Sequence, residues 1–127
     1  MSNRSKLDSS APHLYDASKF DDLADWGLQP DCVEGPSQSS GRLLYKRPDA
    51  GVGGNSPEAG LWVVTPGKWP LSIPRDEFCH FIAGRATYER DNGEVINVRA
   101  GTCVHFTAGW TGVCIVYETL RNVYMLR

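Results

Sequence analysis

Apolar and polar residues alternate with a period of two through most of the second half of the chain, and one run organises the rest. In Glu77-Phe78-Cys79-His80-Phe81-Ile82-Ala83-Gly84, alternation places Glu77, Cys79, Phe81 and Ala83 on one face and Phe78, His80 and Ile82 on the other. Both faces are mostly apolar, so the pattern predicts a strand covered on both sides, with Glu77 in a packed or half-closed space. A carboxylate there needs a partner, a ligand or a shifted pKa. A second run, Gly101-Thr102-Cys103-Val104-His105-Phe106-Thr107-Ala108-Gly109, has the same texture.

Around these runs the chain reads as short strands punctuated by glycine. Leu61 to Thr65 is β-branched and aromatic, and Pro66-Gly67 signals a turn within a bend running from Val64 to Pro70. Leu71 to Ile73 alternates, as do Arg85 to Arg90 and Glu94 to Arg99, joined by the sharp turn Asp91-Asn92-Gly93 into a hairpin. Cys103–Phe106, Gly112–Glu118 and Arg121–Leu126 follow. Strands at this spacing, with almost no helix, predict an all-β antiparallel sandwich or barrel.

The first part is different. Residues 1–41 read as an irregular N-terminal arm with a short helical turn between Asp16 and Leu28, for which Ser18 is the expected N-cap. Residues 34–41 are loop chemistry and Arg42 to Arg47 a first strand, followed by a Gly- and Pro-rich loop from Pro48 to Gly60. The division expected is therefore an arm, 1–41, and a barrel, 42–127. Such an arm is expected to pack along the barrel or across a dimer partner.

Composition narrows the partners. A chain of 127 residues has room for one domain with a real core, and a formal charge of -2 gives no electrostatic reason to expect nucleic acid or an anionic membrane. No apolar run reaches membrane-spanning length and the start has no apolar signal region, so a cytoplasmic location is expected. Four cysteines, Cys32, Cys79, Cys103 and Cys114, form no C-x-x-C pair and are expected as free thiols without zinc.

Several blocks, in order, resemble the cupin superfamily, and within it a small single-domain branch related to the cupin domain of (S)-ureidoglycine aminohydrolase. They are residues 60–69, Asp76 to Gly84, Asp91 to Glu94, Arg99 to Gly101, Phe106 to Gly112 and Glu118 to Tyr124. The resemblance implies an RmlC-like double-stranded β-helix, the cupin jelly-roll barrel. It also implies a divalent metal held by two histidines, a glutamate and a third histidine. Glu77 matches the acidic position, but the two upstream positions fall within Pro70 to Ile73, which has no donor side chain of that kind, and the downstream one falls at Gly112. One carboxylate does not hold a metal that normally takes three or four protein ligands, so no metal or other cofactor is expected. The branch has Lys where this chain has Asn122, which removes a basic partner for Glu77.

The candidate residues carry two readings each. Glu77 is either a ligand anchor or general base inside the barrel, or a structural carboxylate satisfied internally. Cys79, on the same face, is a weak nucleophile candidate that would need an activating base, and Tyr124 a weak assisting group. His80 and His105 read as packing or interface residues, His13 as solvated, and Arg75, Asp76, Arg85, Glu89 and Arg90 as solvated strand faces or rim. Trp62, Trp69, Tyr88, Phe106, Trp110, Cys114, Asn122 and Tyr124 are expected to complete a pocket with Glu77 and Cys79, Trp69 and Trp110 being nearest its mouth. The function expected is that of a small-molecule-binding, metal-independent barrel that forms a homodimer. A metal-independent isomerase, lyase or aminohydrolase-like enzyme, and a non-catalytic interaction barrel, stand as alternatives.

Overall fold

The computed structural model describes residues 16–47 and 56–127. His13 and most of the expected Pro48–Gly60 loop therefore lie outside the described residues. Eight antiparallel strands make up the architecture: β1 (Ala24–Leu28), β2 (Gln38–Lys46), β3 (Glu58–Val64), β4 (Gly67–Ile73), β5 (Glu77–Arg90), β6 (Val95–Arg99), β7 (Cys103–Phe106) and β8 (Trp110–Leu126). They form one continuous sheet in the order β1-β2-β3-β8-β5-β6, with β4 also on β8 and β7 also on β5. This all-β, antiparallel arrangement is that of a cupin jelly roll.

Two long strands replace the four short ones the sequence suggested. β5 runs 14 residues through Gly84, and β8 runs 17 residues past Glu118. Gly84 does not end a strand. Its φ of +89° and the Thr119 and Leu120 backbone lying against it mark a bulge where β5 and β8 bend together, a place a side chain cannot occupy. Because each long strand bends, it changes neighbours: β8 pairs with β4 through Trp110–Val116 and with β3 through Leu120–Leu126. β5 likewise pairs with β7 through Glu77–His80 and with β6 through Arg85–Glu89. The partner switch closes the sheet around an interior.

That interior is filled mainly by aromatic and β-branched side chains on the inward positions. Phe81, Tyr88, Phe106 and Trp110 form a chain of ring contacts with centroids 5.2–6.2 Å apart. Each such pair contributes about 0.5–1.5 kcal/mol beyond simple burial. Val64, Trp69, Ile73, Val98, Cys114, Val116 and Leu120 complete the core.

At the N-terminal side, strand pairing begins earlier than the sequence suggested. β1 lies wholly within residues 1–41, and β2 begins at Gln38, so residues 38–41 are strand rather than loop. The helical turn is one turn only, closed by the Lys19 and Phe20 N–H groups donating to the Asp16 carbonyl. Asp16, not Ser18, caps it: the Ser18 N–H and hydroxyl both donate to Asp16 Oδ1. This segment packs on the chain's own barrel. Arg42 pairs with Asp22 at 2.6 Å and lies over the Phe20 ring, and Arg121 donates to the Ala17 and Phe20 carbonyls.

Candidate functional site

Glu77 opens β5, and its register places it level with Phe106 on β7 and Leu126 on β8. Its side chain points inward and is half-buried. It stands where two cavities meet. One, of about 170 Å3, is lined by Trp62, Leu71, Tyr88, Phe106, Cys79 and Glu77 among others. The second, of about 260 Å3, opens between Trp26, Trp62, Tyr124, Leu126 and Glu77. Trp62 is the other wall common to both, held by its indole N–H donating to Ser39 Oγ at 2.8 Å. For scale, an apolar cavity of about 150 Å3 admits benzene.

The partners of the carboxylate are unusual. The Cys79 thiol donates to Glu77 Oε2 at 3.3 Å, and no Lys or Arg among the described residues comes within ion-pair distance. Burial raises the Glu77 pKa and the Glu58 charge raises it further, with the Cys79 hydrogen bond opposing. Glu58, on the far side of β8 in the same register row, is itself paired with Arg75 at 3.5 Å. Arg75 in turn donates to the Ser56 carbonyl at 2.6 Å, so it is a half-buried positioning group rather than the solvated rim residue its sequence context suggested. Asp76 also has a structural task, accepting the Ala108 N–H at 2.9 Å.

Tyr124 leans across Gly60, where an added Cβ would lie 2.7 Å from its Cζ, and reaches Glu58. Burial, then the two carboxylates, push its phenol up to about 12, so at neutral pH it is a proton donor and not a base. Cys79 is no activated nucleophile. Burial, with the adjacent Glu77 charge, pushes its thiol far above the ordinary range, and its one visible task is to donate to Glu77.

Of the other expected pocket residues, Trp62, Tyr88 and Phe106 line the smaller cavity and Tyr124 the larger. Trp69, Cys114 and Asn122 do not line either; all three are buried core. Trp69 sits mid-strand opposite Cys114 rather than at a mouth, because β4 begins at Gly67 and the bend is shorter than the Pro and Gly residues implied. Burial pushes the Cys114 thiol up to about 12. Asn122 faces Cys79, with its Oδ1 buried and unpartnered. Trp110 packs on Phe106 and Tyr88, and the surface it reaches is a separate groove beside Arg90 and His105. His80 and His105 are exposed on the outer face. That face also differs from expectation: Phe78 is 46% exposed, so β5 is covered on its inner side only.

Glu58, Trp26 and Leu71 are not among the residues the sequence singles out for the site, and Arg75 is assigned there only to the solvated rim.

Residues 54–124, more than half of the chain, match the family of EutQ-like cupin domains. The chain belongs to the EutQ-like cupins. No curated protein matches it. Among solved structures, this cupin is similar to a protein of unknown function of the DUF861 family from Pseudomonas syringae pv. tomato, with TM-score 0.72 and 18% identity over 83% of this chain and 44% of that one. It thus spans under half the length of that relative. It is also similar to the EutQ protein of Clostridium difficile (TM-score 0.57, 14% identity, 71% and 68% of the two chains). A DUF861 family protein from Thermotoga maritima gives TM-score 0.52 and 21% identity over 53% and 76%. At these identities the likeness is one of fold.

Cupins imply a divalent metal in the barrel, and the residues present do not fit one. β4 carries Pro70, Leu71, Ser72 and Ile73 where the cupin resemblance puts the two upstream ligands, and none of the four has a metal-binding side chain of that kind. At the downstream position an atom added to Gly112 would run into the Glu89 carbonyl oxygen and lie 2.7 Å from the Trp110 ring, so the space an imidazole needs is filled. Among the described residues no three His, Cys, Asp or Glu side chains converge. Among the described residues, no helix is long and apolar enough to cross a membrane.

Proposed function

We propose that this cupin binds a small organic molecule carrying an amine or hydroxyl, with Glu77 as its polar anchor and Trp62, Tyr88 and Phe106 as its apolar walls. One observation carries the reading: a half-buried carboxylate at the junction of two cavities, with a thiol as its hydrogen-bond partner and no cation beside it among the described residues. A protonated amine would supply the missing charge, and aromatic faces around a cation add attraction. The ligand enters through the wider cavity between Trp26 and Tyr124 and places its polar end at Glu77.

The test is a thermal-shift screen of primary amines of two to six carbons beside the matching alcohols. A ligand of the folded state raises Tm in proportion to RT ln(1 + [L]/Kd). A saturable rise that Glu77→Gln abolishes supports the reading; no response from any amine or alcohol refutes it.

A second reading has its own support. Glu77 as a general base is favoured by its raised pKa, which brings a carboxyl toward the range useful for proton transfer. Tyr124, protonated, would be the accompanying acid. The (S)-ureidoglycine aminohydrolase resemblance belongs with this alternative, and turnover unchanged in Glu77→Gln would remove it. We also propose that the protein is a cytoplasmic homodimer joined through the outer sheet face. Tyr45, Met125 and Phe78 lie exposed across neighbouring strands there, an apolar row of the kind association covers.

A further inference from the structure

A groove of about 510 Å3 lies outside the barrel, on the outer face of β5, β6 and β8, walled by Arg85, Thr87, Asn97, Arg99, Thr102 and Tyr117. Its chemistry is one-sided. Arg85 and Arg99 are direct cross-strand partners. Like charges placed opposite each other in a sheet are destabilising, so this pairing weakens the hairpin unless something bridges it. Arg85 is partly neutralised by Glu118, its Nε lying 3.3 Å from Oε2, and its guanidinium stacks 4.7 Å above the Tyr117 ring. The Arg99 side chain has no partner among the described residues.

The floor turns its donors outward. The Tyr117 hydroxyl donates to Thr87 Oγ1 at 3.2 Å, and Thr87 Oγ1 donates to Asn97 Oδ1 at 3.0 Å. Thr87 is buried, which fixes the relay. Asn97 therefore spends its acceptor on the floor and keeps its Nδ2 donors for the groove. The Thr102 hydroxyl accepts the Arg99 N–H at 3.1 Å, leaving its own proton to donate. Two guanidinium groups, an amide NH2 and a hydroxyl thus line one groove, and Glu118, the acid beside Arg85, is exposed and already engaged by it.

We propose that this groove binds a small multivalent oxyanion, bridged between Arg85 and Arg99 with Asn97 Nδ2 as a third donor. Guanidinium forks suit phosphate and carboxylate equally in geometry, so the shared chemistry is the oxyanion. The site is independent of Glu77, which lies inside the barrel.

The experiment is a titration of the full chain with inorganic phosphate and, separately, with succinate at constant low ionic strength, followed by amide chemical shifts and by Tm. Saturable changes at Arg85, Asn97 and Arg99 with either anion are expected, phosphate alone marking phosphoryl recognition and succinate alone carboxylate recognition. Arg99→Gln should weaken binding about tenfold or more while melting no lower than the parent in anion-free buffer, since it relieves a like-charge pair. Asn97→Asp, which turns a donor into an acceptor, should abolish binding, and Arg90→Gln, on the same strand but paired with Glu94, should leave it unchanged. Neither anion producing a saturable change, or a response that survives Arg99→Gln, overturns the proposal.

Discussion

Replacing Gly112 by alanine tests why this barrel has no place for the ligand its family pattern puts there. Gly112 lies in β8 between Leu71 of β4 and Arg90 of β5, so strands flank it on both sides. A Cβ at that position would collide with the Glu89 carbonyl oxygen and stand 2.7 Å from the Trp110 ring and 3.0 Å from Arg90 Cα. Two of the three obstacles are backbone, which cannot swing away as a side chain can. Overpacking a filled interior costs about 1–3 kcal/mol, and a backbone obstacle places this case near the upper end. For a domain of this size about 3 kcal/mol corresponds to a fall in Tm of roughly 10 °C. Gly109→Ala is the control that separates contact from conformation. Gly109 has φ +95° and nothing within 4 Å of an added Cβ, so its cost is backbone strain alone, about 1 kcal/mol. Melting by circular dichroism, with urea unfolding to check that the m-value is unchanged, compares the two. If Gly112→Ala melts as high as Gly109→Ala, the space is not filled and the steric reasoning is wrong. Gly112→His should bind no transition metal after dialysis, by elemental analysis.

Other consequences follow from the same contacts. Because the folded state holds the Glu77 pKa above its ordinary value, folding takes up a proton over the window between the two. Stability should therefore fall as pH rises through that window, and Glu77→Gln should flatten the dependence and raise Tm at neutral pH. Urea midpoints from pH 4 upward measure it; a parent midpoint that rises with pH and a Glu77→Gln midpoint that rises equally would contradict the sign. Trp62→Ala removes a wall of both cavities and the bond to Ser39, and should cost about 3–5 kcal/mol in urea unfolding. Phe78→Arg should convert a homodimer to monomer by light scattering without lowering the monomer's Tm; a parent of monomer mass at micromolar concentration would remove the dimer. Gly60→Ala should displace Tyr124 from Glu58, which a lowered phenol pKa in an ultraviolet titration would reveal.

The sequence made the turns and the alternation legible because both are local. Gly93 and Gly109 sit at positive φ in tight turns, and the Asp91-Asn92-Gly93 hairpin forms with Glu94 N–H donating to Asn92 Oδ1. Gly84 misled for a physical reason: a strand bulge and a strand end ask for the same residue. β1 was hidden because Asp25 and Gly27 are poor strand formers, and its structure is supplied by pairing with β2. Within the site, alternation placed Glu77, Cys79 and Tyr124 inward. It could not rank depth, so Trp69, beside a turn in sequence, is core in space. The Glu58–Arg75 pair is formed by residues 17 apart, and nothing in either local context announces it.

The most direct measurement is calorimetric titration of the full chain with the primary amine that gives the largest thermal shift, repeated across pH and with Glu77→Gln. Burial raises the Glu77 pKa and an ammonium group favours its ionised form, so affinity should rise with pH through the Glu77 titration, fall again as the amine deprotonates, and be lost in the variant. Affinity that is independent of pH and undiminished by Glu77→Gln would contradict Glu77 as the anchor of the site.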